Sequence, residues 1–351
     1  MKFLSIAILL LTTATITQAQ QLCNGYAEFC SKQYQTLTYL MTHNSYSYIA
    51  NPAANQACPV NIQLDDGVRG LKLSAIKMTN SSSIQLCHTS CTILNAGPAV
   101  DTLSTITNWL KANPNEVITI MWNNLGSFGT DAFKTAYTNS GLIDYVYTQP
   151  FENFTWPTLG ELIASGKRVI NFIDEGANSK ELPWLMREWD FVFETPYNNR
   201  NESSFECIID RPNPPENPTK VMYVMNHFLY GTLTLGSTTI EIPQKGTSDV
   251  TNGDGSLLKQ AEQCTHVFGR QPNFLEVDFY NNGDALQITA QLNNVTYHEK
   301  QLQCNVYEST ASTSSTTTGG SISEATSNIM VSLTAAPILL SLVAVMFSAF
   351  L

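Results

Sequence analysis

Short runs in which nearly every residue is apolar take turns along this chain with stretches where apolar residues recur three and four apart. Val117 to Trp122 and Arg168 to Ile173 are of the first kind, the signature of strands buried on both faces. Gln35 to Thr42 and Val68 to Ile76 predict two earlier strands, and Phe191–Phe193, Val221–Met225 and Leu275–Phe279 predict three later ones. Ile84 and Leu86 predict a brief strand ending at His88. Between them, Asp101 is placed to cap a helix whose apolar face is Leu103, Ile106 and Leu110, ended by Asn113-Pro114. Thr158-Leu159-Gly160-Glu161 has capping-box spacing and predicts a short helix stopped at Gly166. Buried strands separated by helical segments mean parallel βα units, and seven or eight of them fit a single α/β barrel.

The two ends read differently. Met1-Lys2, the apolar run Phe3–Leu11 and the small residues Thr17 and Ala19 predict a secretory signal peptide over 1–19. Residues 329–351 form an uncharged apolar stretch with no basic stop after it, and Gly319, Gly320 and Ser321 precede it. That order predicts a GPI signal removed on maturation, with an ordinary C-terminal anchor as the alternative. The folded domain is then expected over 20–308. Residues 309–328 would form a Ser/Thr-rich stalk that carries the attachment region and stays extended, because it has little apolar area to offset ordering entropy.

Composition agrees with export. Only 13% of residues are charged, with 18 Lys+Arg against 29 Asp+Glu and a net charge of −11, which excludes a nucleic-acid-binding surface. The 8 cysteines lie in the mature part and predict disulfides, Cys87 and Cys91 being close enough to pair. Zinc on Cys87-His88-x-x-Cys91 is disfavoured by the oxidising route and by the lack of a second Cys/His pair. Asn80, Asn153, Asn201 and Asn294 head glycosylation sequons.

In an α/β barrel the chemistry gathers where strands end. His43-Asn44, Lys72 with Ser74, His88, Asn123-Asn124, Asp174-Glu175, Glu194, Asn226-His227 and Asp278 all close predicted strands. Thr42-His43-Asn44-Ser45-Tyr46, Leu64-Asp65-Asp66-Gly67-Val68-Arg69-Gly70-Leu71 and Leu86-Cys87-His88-Thr89 resemble the X-domain of phosphatidylinositol-specific phospholipases C. More closely, the chain resembles the secreted, GPI-anchored fungal branch of phospholipase C-like phosphodiesterases, over roughly residues 25–300. The resemblance implies a distorted TIM barrel and cleavage of a phosphodiester in an inositol phospholipid or GPI glycan. It implies His43 as general base, His88 as general acid and Asp278 as the carboxylate that orients the base. Phosphate or substrate contacts would come from Lys72, Asn44, Ser74 and Tyr280, since period-2 geometry sets Glu276, Asp278 and Tyr280 on one strand face.

The second strand departs from the family pattern. Bacterial members carry an Asp and a phosphate-facing Arg where this chain has Lys72 and Ser74, and calcium-dependent members carry Glu and Asp there. Losing those carboxylates removes most of a calcium site, so no cofactor is expected. Arg69, on the opposite face from Lys72 and Ser74, is expected in a structural ion pair. The expected partner is a phospholipid or glycolipid substrate met by a monomer whose only membrane attachment is the GPI lipid at the cell surface or wall. A catalytically inactive barrel that binds a glycan or headgroup is the competing reading.

Overall fold

The computed structural model describes residues 21–79, 81–213, 217–235 and 238–316. The signal segment, Asn80, the attachment candidates Gly319, Gly320 and Ser321, and the 329–351 stretch lie outside the described residues. The chain divides into two units, Met1–Thr310 and Ala311–Leu351, and the barrel belongs to the first.

In chain order the strands are β1 (Tyr39–Thr42), β2 (Gly70–Ile76), β3 (Gln85–His88), β4 (Leu94–Pro98), β5 (Ile118–Asn123) and β6 (Val169–Ile173), then β7 (Leu185–Arg187), β8 (Val192–Glu194), β9 (Met222–Asn226), β10 (Tyr230–Leu235), β11 (Thr238–Pro243) and β12 (Phe274–Val277). Eight of these curl into a parallel sheet in the order β7-β6-β5-β2-β1-β12-β9-β8. A seam lies between β7 and β8, whose three residues each leave little ladder to pair. The fold is therefore the α/β barrel that the alternation predicts, in the distorted TIM form that the resemblance implies. β3 and β4 hang antiparallel from the end of β2, and β10 and β11 form a separate antiparallel hairpin.

The helices are α1 (Val60–Asp66), α2 (Ala99–Ala112), α3 (Thr130–Asn139), α4 (Leu159–Ser165), α5 (Glu188–Phe191), α6 (Ser248–Thr251), α7 (Lys259–Phe268), α8 (Ala285–Leu292) and α9 (Gln303–Thr316). α4 has the predicted capping box, with Thr158 and Glu161 each satisfying the other's backbone N–H. α2 starts two residues before Asp101, behind Pro98, so Asp101 sits in the first turn rather than at the cap.

Two segments differ from expectation. Residues 35–38 are not strand: Tyr34–Thr36 form a 3₁₀ turn that drives the Tyr34 ring into the barrel's amino end, where its hydroxyl meets Thr119 Oγ1 at 2.6 Å. Nor is 309–316 extended, because α9 runs on to Thr316. The hydroxyls of Ser309 and Thr310 turn back onto the carbonyls of Val306 and Tyr307, which satisfies them within the helix.

Parity decides what fills the barrel. Leu71, Leu73, Ile120, Trp122, Leu275 and Val277 pack with the helices, while Met41, Met121, Phe172, Val224 and Phe274 pack inside. Met41 comes so close to Gly70 that a Cβ there would lie 2.7 Å from the Met41 Cβ, so only glycine fits. The interior is aromatic and Met-rich toward the strands' amino ends. Toward their carboxyl ends the same inward positions become Lys72, Ser74, Asn123, Glu194, Asn226 and Glu276. Such a polar layer could not be left unpartnered without cost.

Candidate active site

β1 ends at Thr42, and the chain turns at once: Asn44 takes φ +43°, and Ser45 N–H donates to Lys72 O. His43 is thereby lifted onto the carboxyl rim. Its Nδ1 lies 2.9 Å from Asp278 Oδ1, and the Asn44 Nδ2 amide lies 3.1 Å from its Nε2. The Nδ1–H tautomer satisfies both contacts, donating to the carboxylate and leaving the Nε2 lone pair as the ring's acceptor. Phe228 stacks on the imidazole at 3.9 Å and 8°, which fixes the ring plane. Asn55 Nδ2 also donates to Asp278 Oδ1, so that carboxylate is itself held.

His88 reaches the same cleft from β3. The Cys87–Cys91 disulfide closes the turn that follows it, with Thr89 at φ +58°. With both sulfurs in a disulfide, the zinc reading of this segment has no thiolates to use. Tyr46 ties the two histidine segments together, its hydroxyl donating to Cys87 O at 2.7 Å. Burial, and then the charge of His43, lower the His88 imidazole to about 4, so it is neutral at pH 7 in the free chain.

Beneath the histidines lies an ionic cluster. The Lys72 ammonium donates to Glu194 Oε1 at 2.6 Å and lies 3.5 Å from Glu188 Oε1. Arg211 bonds the other Glu194 oxygen and lies 4.1 Å over the Tyr197 ring. Burial alone would lower the ammonium, but Glu188, Glu194 and Glu276 outweigh it and hold Lys72 firmly charged. Burial would likewise raise Glu194, yet Lys72 and Arg211 keep it well below the usual carboxylate range. Glu188 and Glu276 are pushed up by burial, toward their neutral forms.

His43, Asn44, Lys72, Ser74 and His88 thus line one cleft of ≈ 230 Å³, with Asp278 behind His43. Leu125 and Tyr197 give it a rim that is 65% and 40% exposed, an apolar edge beside a polar floor. Ser74 Oγ donates to Asn44 Oδ1 and does not reach for a ligand. Tyr280 is the misplaced residue. β12 stops at Val277, Phe279 adopts φ +44°, and the alternation breaks, so Tyr280 turns away and donates to Asp66 Oδ2 at 2.7 Å. His227 also turns from the cleft, onto Gln260 and Thr251 O. Arg69 is the expected structural cation, held by Glu116. Sequence reasoning missed Arg211, Asn55 and Phe228, which sit in loops or past strand ends where periodicity carries no signal, and Tyr230, which opens β10.

Comparison with known proteins decides the family. The PI-PLC X 1 family model matches residues 29–293. The chain belongs to the PI-PLC X family. A PI-PLC X domain-containing protein 1 from Arthroderma benhamiae is 33% identical over 301 residues, covering 83% of this chain and 97% of that protein. An uncharacterized secreted protein of the same fungus is 39% identical over 292 residues, 79% of this chain and 65% of that one, so the chain spans less than two thirds of that relative. A mutant phosphatidylinositol-specific phospholipase C from Staphylococcus aureus shares the fold, with TM-score 0.52, 13% identity and coverage of 76% and 95%.

Within the PI-PLC X family, calcium-dependent members suggest a test of this site. The donors present do not fit that ion: Lys72 brings an ammonium where a ligand carboxylate would stand, and Asn44 Oδ1 is engaged by Ser74. Among the described residues no group of three or more His, Cys, Asp and Glu side chains could hold a metal.

Proposed function

We propose that this chain is a phosphoric diester hydrolase that cleaves an inositol phospholipid or a GPI-type phosphodiester by paired histidine acid–base chemistry, without metal. The observation that carries the reading is the Asp278–His43 pair facing the same cleft as His88. His43 Nε2 takes the proton of the ring hydroxyl next to the phosphate, and that oxygen bonds to phosphorus. The bond from phosphorus to the lipid alkoxide breaks, and His88 supplies its proton, which leaves a cyclic phosphodiester. Water then opens that ring with the roles reversed, His88 taking the water's proton and His43 returning its proton to the ring oxygen. Asp278 stabilises the imidazolium that forms. His88 is neutral in the free chain, so it acts as an acid only once a phosphate anion beside it raises its proton affinity.

The test is hydrolysis of radiolabelled phosphatidylinositol vesicles by the secreted chain. Replacing His43 or His88 by Ala should each cost roughly 10²–10⁴-fold in turnover. The double variant should be far less than multiplicatively worse. Wild-type turnover no higher than that of His43→Ala would leave the second reading, a barrel that binds a headgroup or glycan without turning it over. That alternative draws support from Ser74, whose hydroxyl is spent on Asn44 at the position where the resemblance implies a phosphate-facing arginine.

We also infer export and lipid anchoring of a monomer at the cell surface. In favour are the relative described as secreted, the four disulfides and the exposed sequons at Asn153, Asn201 and Asn294. Among the described residues no helix is long and apolar enough to cross a membrane.

A further inference from the structure

The cleft needs a positive group to face a phosphate, and the cation expected for that task is committed elsewhere. Lys72 is only 3% exposed, and its ammonium is held between Glu194 and Glu188 at the floor of the cleft. Arg211 is different. It lines the same cleft with its side chain 30% exposed, and among the described residues Glu194 is the only side chain its guanidinium hydrogen-bonds. Its Nε is buried and has no partner among the described residues. A guanidinium has five N–H donors, so one bond to Glu194 leaves most of the fork unused.

Arg211 is also built in rigidly. Its backbone makes an antiparallel bridge to the last residue of β8, with Glu194 N–H donating to Arg211 O at 2.8 Å. Tyr197 lies under the guanidinium and Glu194 holds one end, so little rotamer freedom remains to be lost when an anion arrives. Lys72 and Arg211 each take one oxygen of Glu194, so the carboxylate that Arg211 meets is shared with a second cation, and Glu241 on the cleft wall is paired with Arg200. Of the two cations in the cluster, Arg211 is the exposed one.

We propose that Arg211, on the loop after β8, is the phosphate-binding cation of this site, and that Lys72 serves to position it through their shared partner Glu194. The assignment deepens the phosphodiesterase reading and rests on it for the substrate, but a plain phosphate ion tests it independently.

Two measurements on the secreted chain separate these claims: calorimetric binding of inorganic phosphate, and turnover of phosphatidylinositol vesicles. Arg211→Met should weaken phosphate binding by about 10-fold or more and lower turnover by roughly 10²–10³-fold. His43→Ala should still bind phosphate while failing to turn over lipid. Arg211→Lys keeps the charge and the pair with Glu194 but loses the fork, so it should fall between Arg211→Met and wild type in both measurements. If wild type binds phosphate and loses it on Arg211→Met, yet cleaves no lipid, the assignment stands and the enzymatic reading falls. Undiminished phosphate binding in Arg211→Met, or no phosphate binding by wild type, overturns the assignment. Should Arg211→Met fail to fold, Arg211→Lys decides: wild-type affinity and turnover there would rule out a role for the fork.

Discussion

At the amino end of the barrel, Asp66 accepts from the Tyr280 hydroxyl and from the backbone N–H groups of Gln303 and Cys304, which uses both its oxygens. Nearby, Arg69 spends its guanidinium on Glu116, Leu64 O and Val68 O, and Asp65 accepts from Trp109 Nε1. At the carboxyl end, one oxygen of Glu276, one of Asp278 and the Nε of Arg211 have no hydrogen-bond partner among the described residues. Each end borders a cleft, ≈ 250 Å³ at the amino end and ≈ 230 Å³ at the carboxyl end, so size does not tell them apart. Completeness of pairing does. Charges that hold a fold together are satisfied within it, whereas buried polar atoms left open carry a cost that a ligand can relieve.

The largest effect expected from this contrast is on stability, at the carboxyl end. Lys72→Met leaves Glu194 and Glu188 buried without their shared cation, and breaking such a pair costs about 3–5 kcal/mol. Urea unfolding of the purified chain should register a loss of that order. A variant as stable as wild type would mean that the cluster is already loosely paired, and the contrast between the ends would lose its basis.

Next in size comes an acid limb. Burial lowers both His88 and His227 to about 4, below the ordinary 6.5 of histidine. The unfolded chain therefore binds these two protons first. Their contribution to stability is complete above pH 6.5 and is lost as pH falls toward 4. From about pH 6.5 to about 5 each histidine should cost about 2 kcal/mol. The wild-type chain should lose more stability over that interval than His88→Asn, by roughly one histidine's share. Equal losses would show that His88 titrates normally and is open to water.

How much of this is legible in the sequence depends on the kind of signal. The barrel is, because β5 and β6 are nearly all apolar and α4 has a capping box, both local patterns. The inward face of β2 is legible too, since alternation alone sets Lys72 and Ser74 together and opposite Leu71 and Leu73. The ammonium's partners are not: Glu188 and Glu194 lie more than a hundred residues along the chain and meet Lys72 only when the sheet curls. Arg211 gives no sign, because it sits in a loop where neither period applies. Residues 35–38 mislead for a related reason: a Thr- and Tyr-rich run reads as strand, but the Tyr34 side chain finds more apolar area to bury in the barrel floor.

Tyr280 supplies the smallest effect and the cleanest separation of the two ends. Alternation carried past Val277 puts it beside Glu276 and Asp278 in the cleft, where loss of its hydroxyl would weaken substrate binding and leave stability alone. The left-handed turn at Phe279 sends it instead to Asp66, in the well-paired amino end. Tyr280→Phe then removes one buried hydrogen bond, and Asp66 Oδ2 keeps its second donor, Cys304 N–H, so no acceptor is stranded. A loss of about 1 kcal/mol in unfolding free energy is expected, near the middle of the usual range for one such bond. KM and kcat for phosphatidylinositol should not change. The opposite split, unchanged stability with a raised KM, would return Tyr280 to the substrate and require the chain after β12 to turn the other way.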